Sequence, residues 1–150
     1  MGHDFSLRFA SDKTSLQAND HLPDLEFNLK AYMKQIEKRY ISKKKSGKDK
    51  RGNMLPIEKP ILKIAYEEIG QYKDRFILPD RVSLFLYRLW NKMGDKKYDD
   101  FLKELFQYSE ISYDKFEKLT LKYLPRFKNE LFLWLNTNDY PLSFRISIEN

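Results

Sequence analysis

At 150 residues, with 41% hydrophobic and 15% aromatic side chains, the chain is long enough to form one ordinary core, which argues against wholesale disorder. Its lack of cysteine excludes disulfides, thiolate zinc sites and cysteine nucleophiles. No apolar run approaches the roughly 20 residues that a bilayer span needs, and acids interrupt the region where a signal peptide has its apolar stretch. We expect a single domain over residues 1–150, intracellular (cytoplasmic), with no membrane partner.

The formal net charge of +6 is concentrated in one short segment of the chain. Residues 38–51 hold eight of the 28 basic side chains but only one of the 22 acids, Asp49, so the segment carries +7 and the rest of the chain −1. A bias of composition alone would spread this excess, so the distribution indicates a candidate surface for an anionic partner. The eight basic residues are Lys38, Arg39, Lys43, Lys44, Lys45, Lys48, Lys50 and Arg51.

The first element that the pattern predicts is a strand over residues 4–10, "DFSLRFA", because Phe5, Leu7 and Phe9 alternate with polar residues. Residues 23–40, "PDLEFNLKAYMKQIEKRY", then change to a period of 3.6 residues, which predicts a helix. Acids stand in its first turn and bases in its last, which matches the helix dipole. Its apolar stripe consists of Leu25, Leu29, Tyr32, Met33, Ile36 and Tyr40.

After this helix comes "ISKKKSGKDKRGNM", residues 41–54, a stretch with no apolar residue in its interior. Such a connection is long for a compact helical domain, and long connections without structure are usually functional or disordered. Gly47 and Gly52 would let the backbone wrap around an anion. We predict a flexible basic loop at about 42–54.

Four more helical patterns follow the basic loop. They cover residues 59–72, 79–94, 95–108 and 112–124, with Gly94 as a C-cap and Asp95 and Ser112 as N-caps. The pattern at 79–94 is apolar over most of its circumference, which suits a central core helix better than the recognition helix of a helix-turn-helix. Its Arg81, Arg88 and Lys92 share a face that could still touch phosphate.

The last part of the chain leaves two possibilities open. Residues 125–135 predict either a helix or the first strand of a hairpin, which would pair 131–135 with 142–148. We favour the helix, because Pro125 suits a first turn and apolar residues follow at helical spacing. The final segment, "LSFRISIEN", alternates like the first strand. We therefore expect a mainly α (α+β) fold, a compact bundle of five or six helices with a small β-sheet formed by the N- and C-terminal strands.

Little in the sequence predicts catalysis. The two histidines have no metal-ligand spacing and no phosphate-cradling glycine motif is present, so we expect no metal and no cofactor. Asp80, with Asp95 and Lys97, loosely resembles the two carboxylates and lysine of metal-dependent nucleases, whose acids stand on adjacent strands. Both acids stand at predicted helix starts, so helix capping explains them better. The sequence does not predict an enzyme, and a nuclease is the least favoured function.

The favoured function is that of a non-catalytic binding protein that contacts nucleic-acid backbone through the eight basic residues. Lysines without interleaved aromatic side chains contact phosphate and read no bases. The alternative is a small protein-binding regulator or inhibitor, of phage or mobile-element type, whose basic arm docks an acidic or nucleic-acid-binding groove of a larger partner. A third explanation, a solvated connection between two helices, gives the segment no binding role.

Overall fold

The computed structural model describes residues 22–55, 57–64 and 78–146, with side chains from residue 28 onward. Within these ranges it forms five α-helices: α1 Leu22–Ser46, α2 Leu78–Met93, α3 Asp95–Leu105, α4 Tyr113–Tyr123 and α5 Lys128–Asn136. Single 3-10 turns stand at Ile61–Lys63 and Leu142–Phe144. The fold is mainly helical, as predicted. None of the helices described is long and apolar enough to cross a bilayer.

The centre of the described fold is α2. Every residue from Asp80 to Leu89 is buried, because apolar side chains occur on all sides of this helix. One side of α2 packs against α1, and α3, α4 and α5 then follow in order, each against the helix before it. The 3-10 turn at Ile61–Lys63 lies against α5. The predicted central core helix is therefore confirmed.

Aromatic rings fill the space between α2, α5 and the C-terminal segment. Trp134 of α5 is fully buried and stacks on Phe144, with ring centroids 4.3 Å apart and planes 4° from parallel. Phe85 of α2 lies 5.6 Å from the Trp134 ring, and Tyr140 meets that ring edge-on at 5.5 Å. Such pairs contribute about 0.5–1.5 kcal/mol each beyond their burial. The cluster therefore fixes the C-terminal segment against the helices.

A buried arginine joins α2 to the end of α5. Arg81 is 1% exposed, and its Nη1 donates a hydrogen bond to the hydroxyl of Tyr40 at 2.7 Å. Its Nε and Nη2 donate at 3.0–3.1 Å to four backbone carbonyl oxygens, those of Leu133, Trp134, Thr137 and Asp139. The last carbonyls of a helix lack partners within it and form the negative end of its dipole. The guanidinium supplies both the missing donors and the positive charge.

Two helix boundaries follow the predicted capping residues. Gly94, with a φ of +83°, ends α2, and its N–H donates to the carbonyl of Trp90 at 2.8 Å. Ser112 precedes α4, and its side chain accepts the N–H of Lys115 at 3.2 Å. The prediction that Asp95 caps α3 is wrong, because Gly94 takes the capping position. Asp95 is the first helical residue, and it accepts a hydrogen bond from the indole of Trp90 at 2.7 Å.

Two other segments can be compared with their predictions. Residues 128–136 form the helix α5, as favoured, so the hairpin alternative is wrong. The predicted start at Pro125 is also wrong, because Pro125 lies in a turn before the helix. The helix predicted over 59–72 is wrong as far as it is described. Ile61–Lys63 make only a 3-10 turn, and Ile64 is extended with φ −83° and ψ 118°. Residues 65–72 of that prediction lie outside the described ranges.

The structure does not support the predicted small β-sheet. No strand occurs in the described residues, and Leu142–Phe144 form a 3-10 turn instead. The C-terminal segment is bonded instead to a buried carboxylate on α1, that of Glu37, which is 2% exposed. It accepts hydrogen bonds at 2.6–3.3 Å from the Tyr140 hydroxyl, the Nε of Arg145 and the N–H of Ile146. These contacts take the place of a strand ladder. The predicted strand at 4–10 and residues 147–148 lie outside the described ranges.

Candidate functional site

The basic run first continues α1. The sequence predicts that this helix ends at Tyr40, but α1 extends to Ser46. Lysine has a high helix propensity, and the three lysines at 43–45 lie at the negative end of the helix dipole. Residues 42–46 of the predicted loop are therefore helical. Since successive residues of a helix are turned by about 100°, the cations at 38–45 point to different sides of α1.

Residues 47–55, which we call the basic turn, fold back beside the end of α1. Gly47 leaves the helix with a φ of +68°, and the Leu55 N–H donates to its carbonyl at 2.9 Å. The Asp49 carboxylate accepts the N–H groups of Arg51 and Asn53, both at 2.9 Å, which holds the tip of the turn. The segment is thus closed by its own hydrogen bonds. The flexibility that the sequence predicts for it stays a prediction.

Two of the eight predicted site residues contact one buried carboxylate. Arg39 donates to Asp80 from Nε at 3.0 Å and from Nη2 at 2.6 Å, the two-pronged geometry in which arginine binds carboxylates best. Lys43 places its Nζ 3.5 Å from the same carboxylate. Asp80 stands in the first turn of α2 and is 2% exposed. These contacts attach the basic end of α1 to the core helix.

Lys44 points to the other side of α1. Its Nζ donates to the Glu58 carboxylate at 2.7 Å and to the carbonyl of Asn138 at 2.6 Å. Glu58 also accepts the hydroxyl of Tyr40 at 2.6 Å. Burial, above all, raises the pKa of Tyr40 well above its ordinary value. Lys44 therefore holds α1 to the segment around residue 58, and this position does not bring it together with the other predicted site residues.

Five of the eight predicted residues line one cleft, which we call the basic cleft. It has a volume of about 440 Å³ and lies between the C-terminal half of α1 and the basic turn. Its lining comprises Gln35, Lys38, Arg39, Ser42, Lys43, Ser46, Lys48, Asp49 and Lys50. It thus has five cationic side chains and one carboxylate, two hydroxyls and an amide. Lys45 and Arg51 are exposed but do not line it.

The charges of the basic cleft are only partly compensated. Lys38, Lys48 and Lys50 are exposed and have no carboxylate partner in the part of the chain that is described. Burial lowers the pKa of Lys43, and Asp80 opposes this effect, while the like charges of Arg39 and then Lys50 lower the pKa further. The mutual repulsion of these cations falls when an anion enters the cleft. Lysine binds phosphate as a point charge, so the arrangement suits phosphate groups without fixing their orientation.

The other candidate surface is not available. Arg81 is buried at the end of α5, so the predicted basic face of α2 is wrong for this residue. Arg88 donates to both oxygens of Glu130, at 2.8 and 3.1 Å, which neutralises it. Lys92 alone is exposed. The sequence shows the common helical spacing of these three residues. It does not show the hydrogen-bond acceptors of Arg81 and Arg88, which lie more than 40 residues away along the chain.

The nuclease pattern finds no support in the geometry. Asp80 binds Arg39, and Asp95 accepts the indole N–H of Trp90, so each acid already has another partner. Among the described residues no three His, Asp or Glu side chains come together to hold a metal ion. Among the described residues, the basic cleft offers a concentration of positive charge and hydrogen-bond donors.

Sequence reasoning missed the neutral lining and the acidic partner of the cleft. Gln35, Ser42 and Ser46 follow one another at helical spacings of seven and four residues, a signal that becomes visible once α1 is continued past Tyr40. Asp80 has no such signal, because its partners lie 41 and 37 residues away in sequence.

Comparison with protein-family models, with curated proteins and with solved structures found no match to this chain.

Proposed function

We propose that this protein is a non-catalytic binding protein that holds the phosphate backbone of nucleic acid in the basic cleft. The observation that supports this most directly is the cleft itself, in which five cations and one carboxylate, Asp49, line a volume of about 440 Å³. The buried Asp80 offsets part of the charge of Arg39 and Lys43, and Lys38, Lys48 and Lys50 remain exposed. A surface of this kind is costly in repulsion unless a polyanion neutralises it. Nucleic acid presents a regular row of phosphates and so meets several of these cations at once.

The basic residues divide into two groups in this proposal. Lys38, Lys48 and Lys50 are exposed, so they contact phosphate directly. Arg39 and Lys43 form the floor of the cleft, where Asp80 holds them in place. Of the rest, Lys45 and Arg51 contribute charge from the rim, while Lys44 supports the fold through Glu58.

Binding of this kind depends on salt and not on base sequence. Each phosphate that a cation neutralises contributes about 0.7 to 0.9 to the slope of log affinity against log salt concentration. The five cations of the basic cleft therefore predict a slope of about 3.5 to 4.5. Oligonucleotides of equal length and different sequence are expected to bind with similar affinity.

The test uses two triple variants with the same change in net charge. The first carries Lys38→Gln, Lys48→Gln and Lys50→Gln, all in the basic cleft. Its matched control carries Lys97→Gln, Lys118→Gln and Lys128→Gln, exposed lysines on α3, α4 and α5. Fluorescence anisotropy of a labelled oligonucleotide at about 0.1 M salt should show a loss of at least tenfold for the first variant, with a slope lower by about 2.1 to 2.7. Equal losses in both variants, or none in either, would refute the proposal.

A second candidate, the protein-binding regulator, is favoured by two exposed apolar side chains at the end of the basic turn. Met54, within the turn, is 68% exposed, and Ile57, which follows the turn, is 87% exposed. A protein partner would cover apolar and basic groups together, whereas nucleic acid would use the basic ones. A competition experiment distinguishes the two candidate functions. If poly-glutamate of equal charge displaces a bound oligonucleotide as well as unlabelled oligonucleotide does, the cleft has no preference for nucleic acid over an acidic protein, which favours the second candidate.

A further inference from the structure

An exposed aromatic ring continues the line of the basic cleft along α1. Tyr32 is 56% exposed. It precedes Gln35 by three residues and Arg39 by seven, and both of these line the cleft. Three and seven residues correspond to nearly one and nearly two turns of a helix, so Tyr32 lies on the same side of α1 as the cleft. The ring lies on the N-terminal side of the cleft along α1, about 4.5 Å along the axis from Gln35.

Arg39 follows Tyr32 on α1 by seven residues, nearly two turns of the helix. Its hydrogen bond to Asp80 is the main cause that raises the pKa of Arg39, and Tyr32 raises it further. Helix side chains lean toward the N-terminus, so Arg39 extends from its own turn toward the turn of Tyr32. A phosphate near Arg39 would therefore have its attached nucleoside within reach of the aromatic ring.

We propose that the basic cleft binds single-stranded nucleic acid, with phosphates along the lysines and one unpaired base stacked on the ring of Tyr32. This inference rests on the proposed function. An exposed ring can accept a base on its face only where that base is not already stacked inside a duplex. Stacking on one ring tolerates any base, because every base has a π-face. The site thus prefers single strands without preferring a sequence.

Other exposed aromatic rings provide a control. Tyr108 lies beyond the end of α3, is 40% exposed and has the ammonium of Lys115 at 5.4 Å from its ring centroid. It is an exposed tyrosine, like Tyr32, but it belongs to the segment after α3 and not to α1. Replacing it removes the same chemical group from the surface without touching the proposed site.

The experiment compares two single-stranded probes that have the same phosphates. One is a thymidine oligonucleotide and the other is an abasic strand of equal length, and both are titrated against the full chain and against Tyr32→Ser, Tyr32→Phe and Tyr108→Ser. The unsubstituted protein should bind the thymidine strand at least about fivefold more tightly than the abasic strand, the lower end of what one stacked base contributes. Tyr32→Ser should abolish this ratio, while Tyr32→Phe and Tyr108→Ser preserve it. Circular dichroism confirms that the exposed substitutions leave the helices intact.

The outcomes separate this inference from the proposed function. If the protein binds both strands equally, or if Tyr32→Ser leaves the ratio unchanged, stacking on this ring is wrong and phosphate binding stands. Tighter binding of a duplex than of a single strand of the same length would overturn the inference in the same way. If neither strand binds at about 0.1 M salt, the proposed function fails and this inference fails with it.

Discussion

Replacement of Arg81 by methionine tests whether a buried guanidinium holds α5 to the rest of the protein. The side chains are similar in length, but methionine has no donor for the five acceptors around this position. Two of them, the Trp134 carbonyl and the Tyr40 hydroxyl, are bonded in fully buried contacts, and water will not replace the lost donor there. Each buried acceptor left without a donor costs about 1–3 kcal/mol. The other three contacts are partly buried, so we expect a total loss of about 4 kcal/mol.

A loss of this size is large beside the roughly 5–15 kcal/mol by which domains are usually stable. For a chain of this length it corresponds to a fall of about 8–16 °C in Tm. Urea unfolding followed by circular dichroism measures the free energy directly. Arg126→Met, at an exposed position between α4 and α5, is the matched control and should change it by less than about 0.5 kcal/mol. Equal effects of the two substitutions would show that Arg81 does not hold the end of α5.

Two further predictions concern buried polar contacts. Asp80→Asn removes the carboxylate that binds Arg39. We expect oligonucleotide affinity to rise, because the cleft gains one net positive charge, and the free energy of unfolding to fall by about 3–5 kcal/mol. Anisotropy measures the affinity and urea unfolding the stability, and an unchanged or lower affinity would contradict the prediction. Burial, and then its hydrogen bond to Glu37, raises the pKa of Tyr140 above the ordinary value of about 10. The neutral hydroxyl therefore stabilises the fold below about pH 10, and this contribution is lost as the pH rises above that value. Between about pH 8 and 11, the free energy of unfolding should fall less steeply with pH for Tyr140→Phe than for the unsubstituted protein. Some pH dependence remains in the variant, because the pKa of Tyr40 is also raised. Equal slopes of unfolding free energy against pH in the two proteins would refute the prediction.

The helical part of the fold could be predicted because its signals are local. The spacing of apolar residues and the capping of α4 by Ser112 act within a few residues of chain, and α2 to α5 appear where these signals indicate. Local signals of this kind could not show whether the terminal segments form a sheet. Alternation suggested a strand at 142–148, but the partner of Ile146 is a glutamate side chain on α1, more than 100 residues away. Local pattern contains no information about such a partner.

The candidate site could be predicted only in part for the same reason. The concentration of positive charge at 38–51 is visible in sequence, and five of the eight basic residues in this segment line the basic cleft. The separate roles of Lys43 and Lys44 depend on the extension of α1, which turns neighbouring lysines toward Asp80 and Glu58. The sequence does not show that either acid is a partner of these lysines.

The carboxylate of Glu37 also has a consequence for the order of folding. Its three donors are separated from it by 103, 108 and 109 residues, so these contacts close one of the longest loops that the chain can form. The entropy of closing a loop rises with its length, and contacts between neighbouring helices need only short loops. We therefore expect α2 to α5 to assemble before α1 and the C-terminal segment meet. The amide hydrogen of Ile146, which donates to this carboxylate, would then report by its exchange rate how often the finished structure opens.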